Sequence, residues 1–407
     1  MNGKTENFRI DVADAVELIA ANMPAYPSVR LPLADTVGSI LRERITAERD
    51  QPPFDRVTMD GIAVRSTALA GGLRRFRVLG VQGAGVAGMA LVDERNCVEI
   101  MTGATLPDDA DTVIPVERIR TDGEDVVLED GYVPEPGQFV HRRGTDHESG
   151  HTMMEPGAVI GAAEMAALTI SGKAELEVSR WPDIAVISTG DELVDVGRPL
   201  ETFQIRSSND RAIAAALENL GCRTARRSRL PDEPEELRKS ISRMHADHDV
   251  LILSGGVSMG KYDYVPQIME ELGAELVFHK ILQKPGLPMW FGVSVTGKPV
   301  FALPGNPVST LVCTIRYVTP AILGAMGLAF RPQPRFRLAE PLRFAPDLTC
   351  FMPVQLTYTE DGEALAVPKP TNTSGDFVSL AGTDGFVELE RGRDEFPAGH
   401  PVPFFRW

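Results

Sequence analysis

The pattern of apolar residues between about residues 181 and 328 alternates between two periods. Runs such as DIAVIS, DVLILS and PVFAL are almost wholly apolar, whereas NDRAIAAALENLG, PEELRKSISRMHA and DYVPQIMEELG repeat apolar residues at helical spacing. A continuous apolar run indicates a strand buried on both faces, and strand–helix alternation is typical of a parallel sheet. We therefore predict a doubly wound parallel sheet over residues 181–328.

The segments on either side of this sheet have other patterns. Residues 11–23 carry a helical apolar stripe, and a second helix is predicted over about 35–44, before Pro52 and Pro53 interrupt the pattern. Short β-like runs separated by Gly, Pro and Asp follow to residue 141, and similar runs return after residue 329.

The prediction is a multidomain α/β protein. Its four parts are a discontinuous N-terminal helical and linker domain (1–50 and 142–180), an inserted β-rich lid domain (51–141), the central α/β domain (181–328) and a small C-terminal β domain (329–407).

Charge and composition exclude several classes of partner. The 407-residue chain has 57 acidic residues against 41 Lys and Arg, a net charge of −16. Such a field repels nucleic acid and anionic membranes, so we expect neither as a partner. The first residues contain no hydrophobic signal core, and no run of about 18 apolar residues occurs, which favours a cytoplasmic protein. Any anion site must then be built locally from lysines, backbone N–H groups and helix N-termini.

The four cysteines are scattered along the chain without a CxxC pair. This spacing predicts small core residues and argues against a disulfide framework or a zinc cluster.

The stretch SGGVSMGKYDY follows one of the predicted strands. Ligands bind beyond the carboxyl ends of strands in an open parallel sheet, and Gly255 and Gly256 would let a backbone approach an anion closely. A phosphate loop of the GxxxxGK[ST] type is excluded, because Tyr262 stands where a short hydroxyl should bind magnesium. A plain strand-to-helix turn explains this loop, taken alone, equally well.

Two further strand ends carry polar residues. TGDEL contains Asp191 and Glu192, and LPGNP contains Asn306. Helix caps would explain both compositions. Asp263 closes the glycine loop, however, and several carboxylates at one sheet edge suit Mg²⁺, so we predict Asp191, Glu192 and Asp263 as metal ligands.

The segment HKILQKPGLP places Lys280 and Lys284 beside a Pro-Gly turn in a strand-like stretch. Solvated lysines are the usual explanation of such a pair. Because three glycine-bearing strand ends lie nearby in the predicted fold, an anion site is the favoured interpretation.

Other polar residues are less informative by themselves. Asp60 in TMDGIAV and Thr102 in EIMTGATLP mean little alone. His141, His147 and His151 have spacings that fit no familiar set of metal ligands, so we predict surface histidines.

The motifs TMDGIAV, IMTGATLPDDADTVIPVE, ISTGDELV, SGGVSMGKYDY, KPGLP and LPGNPVS occur in this order from about residue 52 to 316. Together they resemble the molybdopterin molybdotransferase family, of the MoeA and gephyrin E-domain type. The resemblance implies a four-part elongated subunit, usually a homodimer. It also implies insertion of molybdate into adenylylated molybdopterin with release of AMP, aided by a divalent cation such as Mg²⁺. Molybdopterin adenylyltransferase and recipient molybdoenzymes are implied as candidate partners.

The resemblance also implies roles for particular residues. Glu192 and Asp263 would position the metal or the oxyanion, and Asp60 and Thr102 would act from a lid that can close over the partner subunit's cleft. The residues implied in binding phosphate and molybdate are Gly255, Gly256, Ser258, Lys280, Lys284, Pro304, Gly305, Asn306, Asn209 and Ser374.

Several positions depart from the family's pattern. Ser207 replaces the acid of a DSN motif, Leu287 replaces a lysine of KPGKP, and Thr145 replaces the acid of RxxGED. The usual arginine is absent around residues 350–351. These departures keep two alternatives beside the enzyme: a non-catalytic or retuned paralogue that binds molybdopterin or nucleotide, and a dimeric scaffold of the same fold.

Overall fold

A computed structural model of the chain describes residues 9–256 and 264–407. It forms two compact units. The larger comprises Met1–Glu43, Pro156–Gly161 and Glu175–Trp407, and the smaller comprises Arg44–Glu155 and Ala162–Ala174. The four domain boundaries given above remain predictions.

The smaller unit is built on a six-stranded sheet, as its short β-like runs predict. Its hydrophobic residues Ile62, Phe76 and Ile114 are fully buried. In spatial order the strands are Thr112–Pro115, Gly61–Val64, Asn96–Ile100, Arg75–Gln82, Asp125–Leu128 and Ile119–Asp122. The other elements are the strands Ile45–Thr46, Arg56–Val57, Val140–His141 and Thr152–Met154, the helices Ser66–Ala70 and Ala162–Ile170, and the 3₁₀ turn Val116–Arg118.

The centre of the larger unit is the predicted sheet. Its strands are β1 (Ile184–Thr189), β2 (Ala225–Leu230), β3 (Val250–Ser254), β4 (Glu275–His279), β5 (Trp290–Val293) and β6 (Pro299–Leu303), in the spatial order β2-β1-β3-β6-β5-β4. Strands β2, β1, β3 and β6 are parallel, whereas β5 is antiparallel to both of its neighbours. The parallel-sheet prediction is therefore confirmed, with one reversed strand near its end.

Both faces of this sheet are covered. Helices α1 (Asn209–Asn219), α2 (Pro234–Asp247), α3 (Val265–Glu271) and α4 (Pro307–Cys313) accompany the strands. Ile184 and Val186 pack in one hydrophobic cluster with α1 and α4, whereas Ala185 and Ile187 pack in another with α2 and α3. Alternate residues of one strand thus face opposite helical layers, which is the doubly wound arrangement.

Helix α4 continues through a π-helical turn, Thr314–Val318, into the helix Thr319–Ala325. The whole segment Pro307–Ala325 is long and apolar enough to cross a membrane by length and composition, with a mean hydropathy of 1.4. Within its apolar window, 61% is buried inside the structure, as in the core helix of a soluble protein.

The C-terminal part forms a second six-stranded sheet. In spatial order its strands are Gln283–Lys284, Thr349–Tyr358, Ala364–Pro368, Arg335–Leu338, Pro401–Arg406 and Gly385–Leu389. The strand Thr349–Tyr358 also pairs with Gly385–Leu389, which closes the sheet into a small barrel. The remaining elements of the larger unit are the helix Val12–Asn22, the 3₁₀ turns Leu33–Asp35 and Val378–Leu380, and the paired strands Ser28–Pro32 with Glu175–Ser179, Leu193–Val194 with Ile205–Arg206, and Leu342–Arg343 with Glu395–Phe396.

The helix predicted over residues 35–44 is wrong. Gly38 adopts a φ of +80°, outside the helical range, and its N–H donates to the Ile160 carbonyl oxygen at 2.8 Å. The N–H groups of Leu41 and Arg42 likewise donate to Ala158 and Glu177. Pairing with a distant segment has overridden the local apolar spacing.

Candidate functional site

The register of the central sheet brings three loops to one edge. Ser188 at the end of β1 is opposite Ser254 of β3, and Ser254 is opposite Leu303 of β6. Because the three strands are parallel and end together, the segments that follow them meet beyond the same edge. This is where ligands bind in open α/β sheets.

The Gly255–Gly256 pair is required by the shape of this edge. Gly255 has a φ of +96°, and a Cβ there would lie 2.8 Å from the backbone oxygen of Thr189. Gly256 has a φ of +66°. The N–H of Gly255 donates to the Leu303 carbonyl oxygen at 3.3 Å, so it joins β3 to β6 and is not directed at a ligand. Glycine is thus needed here for backbone conformation and close approach.

A cavity of about 550 Å³ opens at this edge. Seven predicted site residues line it: Glu192, Asn209, Gly255, Gly256, Pro304, Gly305 and Asn306. We call it the strand-end cavity.

Asn209 ties two of the converging loops together from the first turn of α1. Its Nδ2 atom donates to Ser254 Oγ and to the Gly305 carbonyl oxygen, each at 2.8 Å. Ser254 is buried, and its hydroxyl also lies 3.3 Å from Thr310 Oγ1. A single amide therefore fixes the end of β3 relative to the turn before α4.

Ser188 Oγ, Thr189 Oγ1 and Asn209 Oδ1 are buried at this cavity and have no hydrogen-bond partner within residues 9–256 and 264–407. Buried polar atoms are normally paired, so atoms of this kind at a cavity wall are candidates to bind a ligand. We did not predict Ser188 and Thr189, although both belong to the ISTGDELV motif.

The predicted acids have different surroundings. Glu192 lines the strand-end cavity, as does Asp232, which the sequence analysis missed. Asp191 does not line it; its Oδ1 accepts a hydrogen bond from the Asp232 backbone N–H at 3.1 Å. Neither acid opens a helix, because β1 is followed by a turn and the short strand Leu193–Val194.

Within the described ranges, no group of three or more His, Cys, Asp and Glu side chains could hold a metal ion. Asp263 and Ser258 lie outside the described residues. Two carboxylates at the cavity nevertheless suit Mg²⁺, which is commonly held by one or two protein carboxylates together with substrate phosphates and water.

A second cavity, of about 620 Å³, adjoins the first and shares Pro288 and Asn306 with it. Lys284 and Ser374 line this second cavity. Asn306 Nδ2 donates to Ser374 Oγ at 2.8 Å, and the Val308 N–H donates to the Ser374 carbonyl oxygen at 3.0 Å. The loop that carries Ser374 thus occupies the start of α4.

The two predicted lysines do not share a strand. Strand β4 ends at His279, and Lys280 has a φ of +76°, which interrupts the extended chain and leaves Lys280 lining neither cavity. Lys284 instead pairs with Cys350 in the C-terminal sheet. Burial raises the pKa of the Cys350 thiol to about 12, although the nearby Lys284 charge acts in the opposite direction.

Asp60 and Thr102 lie in the smaller unit and contact each other. The Asp60 Oδ1 atom accepts hydrogen bonds from the Thr102 N–H at 2.6 Å and from its hydroxyl at 2.7 Å. These two bonds lower the pKa of the Asp60 carboxyl, so it is held as an anion. In the same unit, His141 Nε2 lies 3.1 Å from Asp146.

Comparison with known families agrees with this geometry. Residues 185–324, which carry the strand-end cavity's loops, match the family described as "Probable molybdopterin binding domain". The fold and the cavity thus define a protein of the molybdopterin-binding class. Residues 10–172 match "MoeA N-terminal region (domain I and II)" and residues 335–407 match "MoeA C-terminal region (domain IV)".

Full-length relatives identify the family. The chain is 37% identical to a molybdopterin molybdenumtransferase of Synechocystis sp., over 98% of this chain and 100% of the relative. It is 34% identical to one of Staphylococcus aureus, over 97% and 94%. A crystal structure of the molybdopterin biosynthesis MoeA protein from Pyrococcus horikosii superposes with a TM-score of 0.81 and 32% identity, covering 98% of this chain and 99% of that one. The chain belongs to the molybdopterin molybdenumtransferase (MoeA) family, as the motifs predicted.

Proposed function

We propose that this protein inserts molybdate into adenylylated molybdopterin and releases AMP, as a transferase of molybdenum cofactor biosynthesis. One observation carries the proposal: a cavity at the strand ends of the molybdopterin-binding fold, adjoined by a second cavity that contains Lys284, in a chain similar to molybdopterin molybdenumtransferases along its whole length. The cavities are large enough for a nucleotide-sized group and its neighbour.

The proposed reaction is a displacement at the phosphate that joins AMP to molybdopterin. Cleavage of the bond between the AMP phosphate and molybdopterin depends mainly on positioning and on neutralising negative charge. The Ser188 and Thr189 hydroxyls and the Asn209 carbonyl oxygen can bind polar groups of the substrate, and Lys284 supplies a cation in the second cavity. None of these roles requires a covalent nucleophile.

We propose Mg²⁺ as the divalent cation that the reaction needs. Glu192, with Asp263, would hold it at the strand-end cavity, where the ion would neutralise phosphate charge. Asp191 is the weaker candidate, because it already accepts a backbone hydrogen bond. We further propose Asp60 and Thr102 as catalytic residues of the smaller unit, a homodimer as the working form, and a cytoplasmic location.

The test is release of AMP from adenylylated molybdopterin, measured with and without molybdate and Mg²⁺. We expect release that needs both, and that falls by at least 100-fold in Glu192→Ala, about the effect of removing one key electrostatic group. Glu201→Ala is the matched control, because Glu201 is an exposed acid of the following segment that does not line the cavity.

Two results would contradict the proposal. Tight nucleotide binding without molybdate-dependent release would favour the alternative of a carrier or scaffold. Full activity in Glu192→Ala would remove Glu192 from the site.

A further inference from the structure

A third cavity lies beside the strand-end cavity, on the other side of Ser207, which lines both. Its volume is about 330 Å³, and three elements converge on it. Asp195 and Arg198 come from the segment after the short strand Leu193–Val194, Asp210 comes from the first turn of α1, and Arg227 and Arg229 come from β2. We call it the arginine cavity.

The aspartates of this cavity are already neutralised. Asp210 is buried, and it accepts hydrogen bonds from Arg227 at 2.7 Å and from the Ser207 hydroxyl at 2.8 Å. Asp195 accepts from Arg211, which lies outside the cavity lining, at 2.5 Å. Each carboxylate therefore has its own guanidinium.

Among the described residues, two further guanidiniums of this cavity, those of Arg198 and Arg229, have no carboxylate partner. Arg229 donates to the Leu193 carbonyl oxygen, which is uncharged. Within residues 9–256 and 264–407, no carboxylate forms an ion pair with Arg198. The cavity is thus locally positive in a chain whose net charge is −16. Guanidinium groups bind tetrahedral oxyanions through paired N–H donors, so this wall has the chemistry of an oxyanion site.

A simpler explanation of the arginines is protection of an edge. Strand β2 is the end strand of the sheet, and charged residues on such strands prevent pairing with other chains. That explanation is sufficient for Arg226, which is exposed and lines none of the three cavities described above. Arg227 and Arg229 lie on the face of β2 opposite to Arg226. Protection of an edge does not explain why these two residues line one cavity together with Arg198, which comes from another segment.

We propose that the arginine cavity binds a tetrahedral oxyanion, of the class that includes molybdate and inorganic phosphate, next to the strand-end cavity. If the anion is molybdate, the cavity is a waiting site from which the substrate passes Ser207 into the reaction site; that version rests on the proposed function. If it is phosphate, the cavity is an anion site independent of the reaction.

The first experiment is calorimetric titration of the full-length protein with molybdate and, separately, with inorganic phosphate, in the absence of nucleotide. In Arg198→Ala/Arg229→Ala we expect the affinity of the bound anion to fall at least about tenfold, since hydrogen bonds to charged groups are involved. The control is Arg223→Ala/Arg226→Ala, which removes the same charge from exposed positions on and just before the same strand. Unchanged binding in the first variant, or an equal loss in the control, overturns the proposal.

Because Arg229 contacts the Leu193 carbonyl, its loss could loosen that loop. Arg198→Ala alone is therefore measured as well, since Arg198 is exposed and no hydrogen bond joins it to the rest of the described chain. It should also weaken binding while the unfolding temperature stays at the wild-type value. Wild-type affinity in Arg198→Ala would overturn the assignment.

The second experiment separates the two sources of the anion. In the AMP-release assay, a waiting site for molybdate predicts that the arginine variants raise the KM for molybdate by about tenfold with an unchanged kcat. An unchanged KM together with lost phosphate binding identifies the independent anion site. Loss of activity in Glu192→Ala tests the proposed function separately, because anion binding is measured without turnover.

Discussion

The Tyr317 hydroxyl donates a hydrogen bond to Gln283 Oε1 in the interior of the larger unit. Tyr317 is 2% exposed and Gln283 is fully buried. The other end of the Gln283 side chain, Nε2, donates to the Pro285 carbonyl oxygen at 3.2 Å. The π-helical turn that carries Tyr317 is thereby connected to the Lys284–Gly286 turn, which lines the second cavity.

Loss of this connection should cost stability and displace Lys284. Tyr317→Phe leaves Gln283 Oε1 buried without its donor, which typically costs about 1–3 kcal/mol. We expect a lower free energy of unfolding in urea, and a higher KM for molybdate because the Lys284 turn is less well held. Tyr358→Phe is the control, because Tyr358 is 70% exposed and should change stability by less than about 0.5 kcal/mol. Equal stability of the two variants would contradict the structural role of this hydrogen bond.

Gly255→Ala should be more harmful than alanine at an unobstructed glycine. A φ of +96° costs a residue with a side chain about 1–2 kcal/mol, and the new Cβ would also lie 2.8 Å from the Thr189 oxygen. Gly297→Ala is the matched control, since Gly297 has a φ of +78° with nothing within 4 Å of its Cβ position. The difference between the two unfolding free energies therefore measures the close approach alone. We expect it to exceed about 1 kcal/mol and to accompany loss of AMP release; no difference would mean that the strand ends can move apart freely.

Asn209→Ala should separate the loops of the strand-end cavity. It removes the two hydrogen bonds that Asn209 Nδ2 donates, to Ser254 Oγ and to the Gly305 carbonyl oxygen. We expect destabilisation of about 1–3 kcal/mol and a lower kcat/KM for AMP release. Asn219→Ala, at the exposed end of the same helix, controls for the loss of an asparagine. A variant at residue 209 that matches this control in stability and turnover would show that the two loops are held by other contacts.

The buried thiols predict a loss of stability at alkaline pH. Burial raises the pKa of Cys97, Cys313 and Cys350 to about 12, from an ordinary value of 9.0. In the unfolded chain these thiols ionise first, so their contribution is complete below about pH 9 and is lost as pH rises toward 12. The slope is at most about 1.4 kcal/mol per thiol per pH unit.

Denaturant unfolding between pH 8 and about 11 measures this slope. Cys97→Ala/Cys350→Ala should flatten it, because tyrosines and lysines contribute equally in both proteins. An identical slope in the variant would show that the two thiols are accessible and titrate normally. We also expect the buried cysteines to react slowly with a thiol reagent in the native protein and rapidly once the protein is unfolded.

Much of the architecture follows from local sequence. The apolar runs of β1, β3 and β6 are buried at every residue, as their composition predicts. Helices α1 and α3 lie within the predicted stretches, and α2 extends one residue beyond its stretch. Burial on both faces of a strand requires an uninterrupted apolar run, so the sequence alone indicates such strands. The glycine pair after β3 was also informative, because positive φ is a property of a single residue.

The sequence by itself thus determined the doubly wound sheet, the edge at which the strand-end cavity opens and the family of the chain. Only the tertiary structure decided which residues share a cavity. It separated Lys280 from Lys284, because Lys284 pairs with a strand about 65 residues further on, at Cys350. It added Asp232 to Glu192 at the strand-end cavity. It also brought Arg198 together with Arg227 and Arg229 of strand β2 around one concavity. The period of the apolar pattern and the backbone preference of each residue are local properties, so the sequence encodes them directly. Contacts between side chains that are distant in sequence depend instead on how the elements pack.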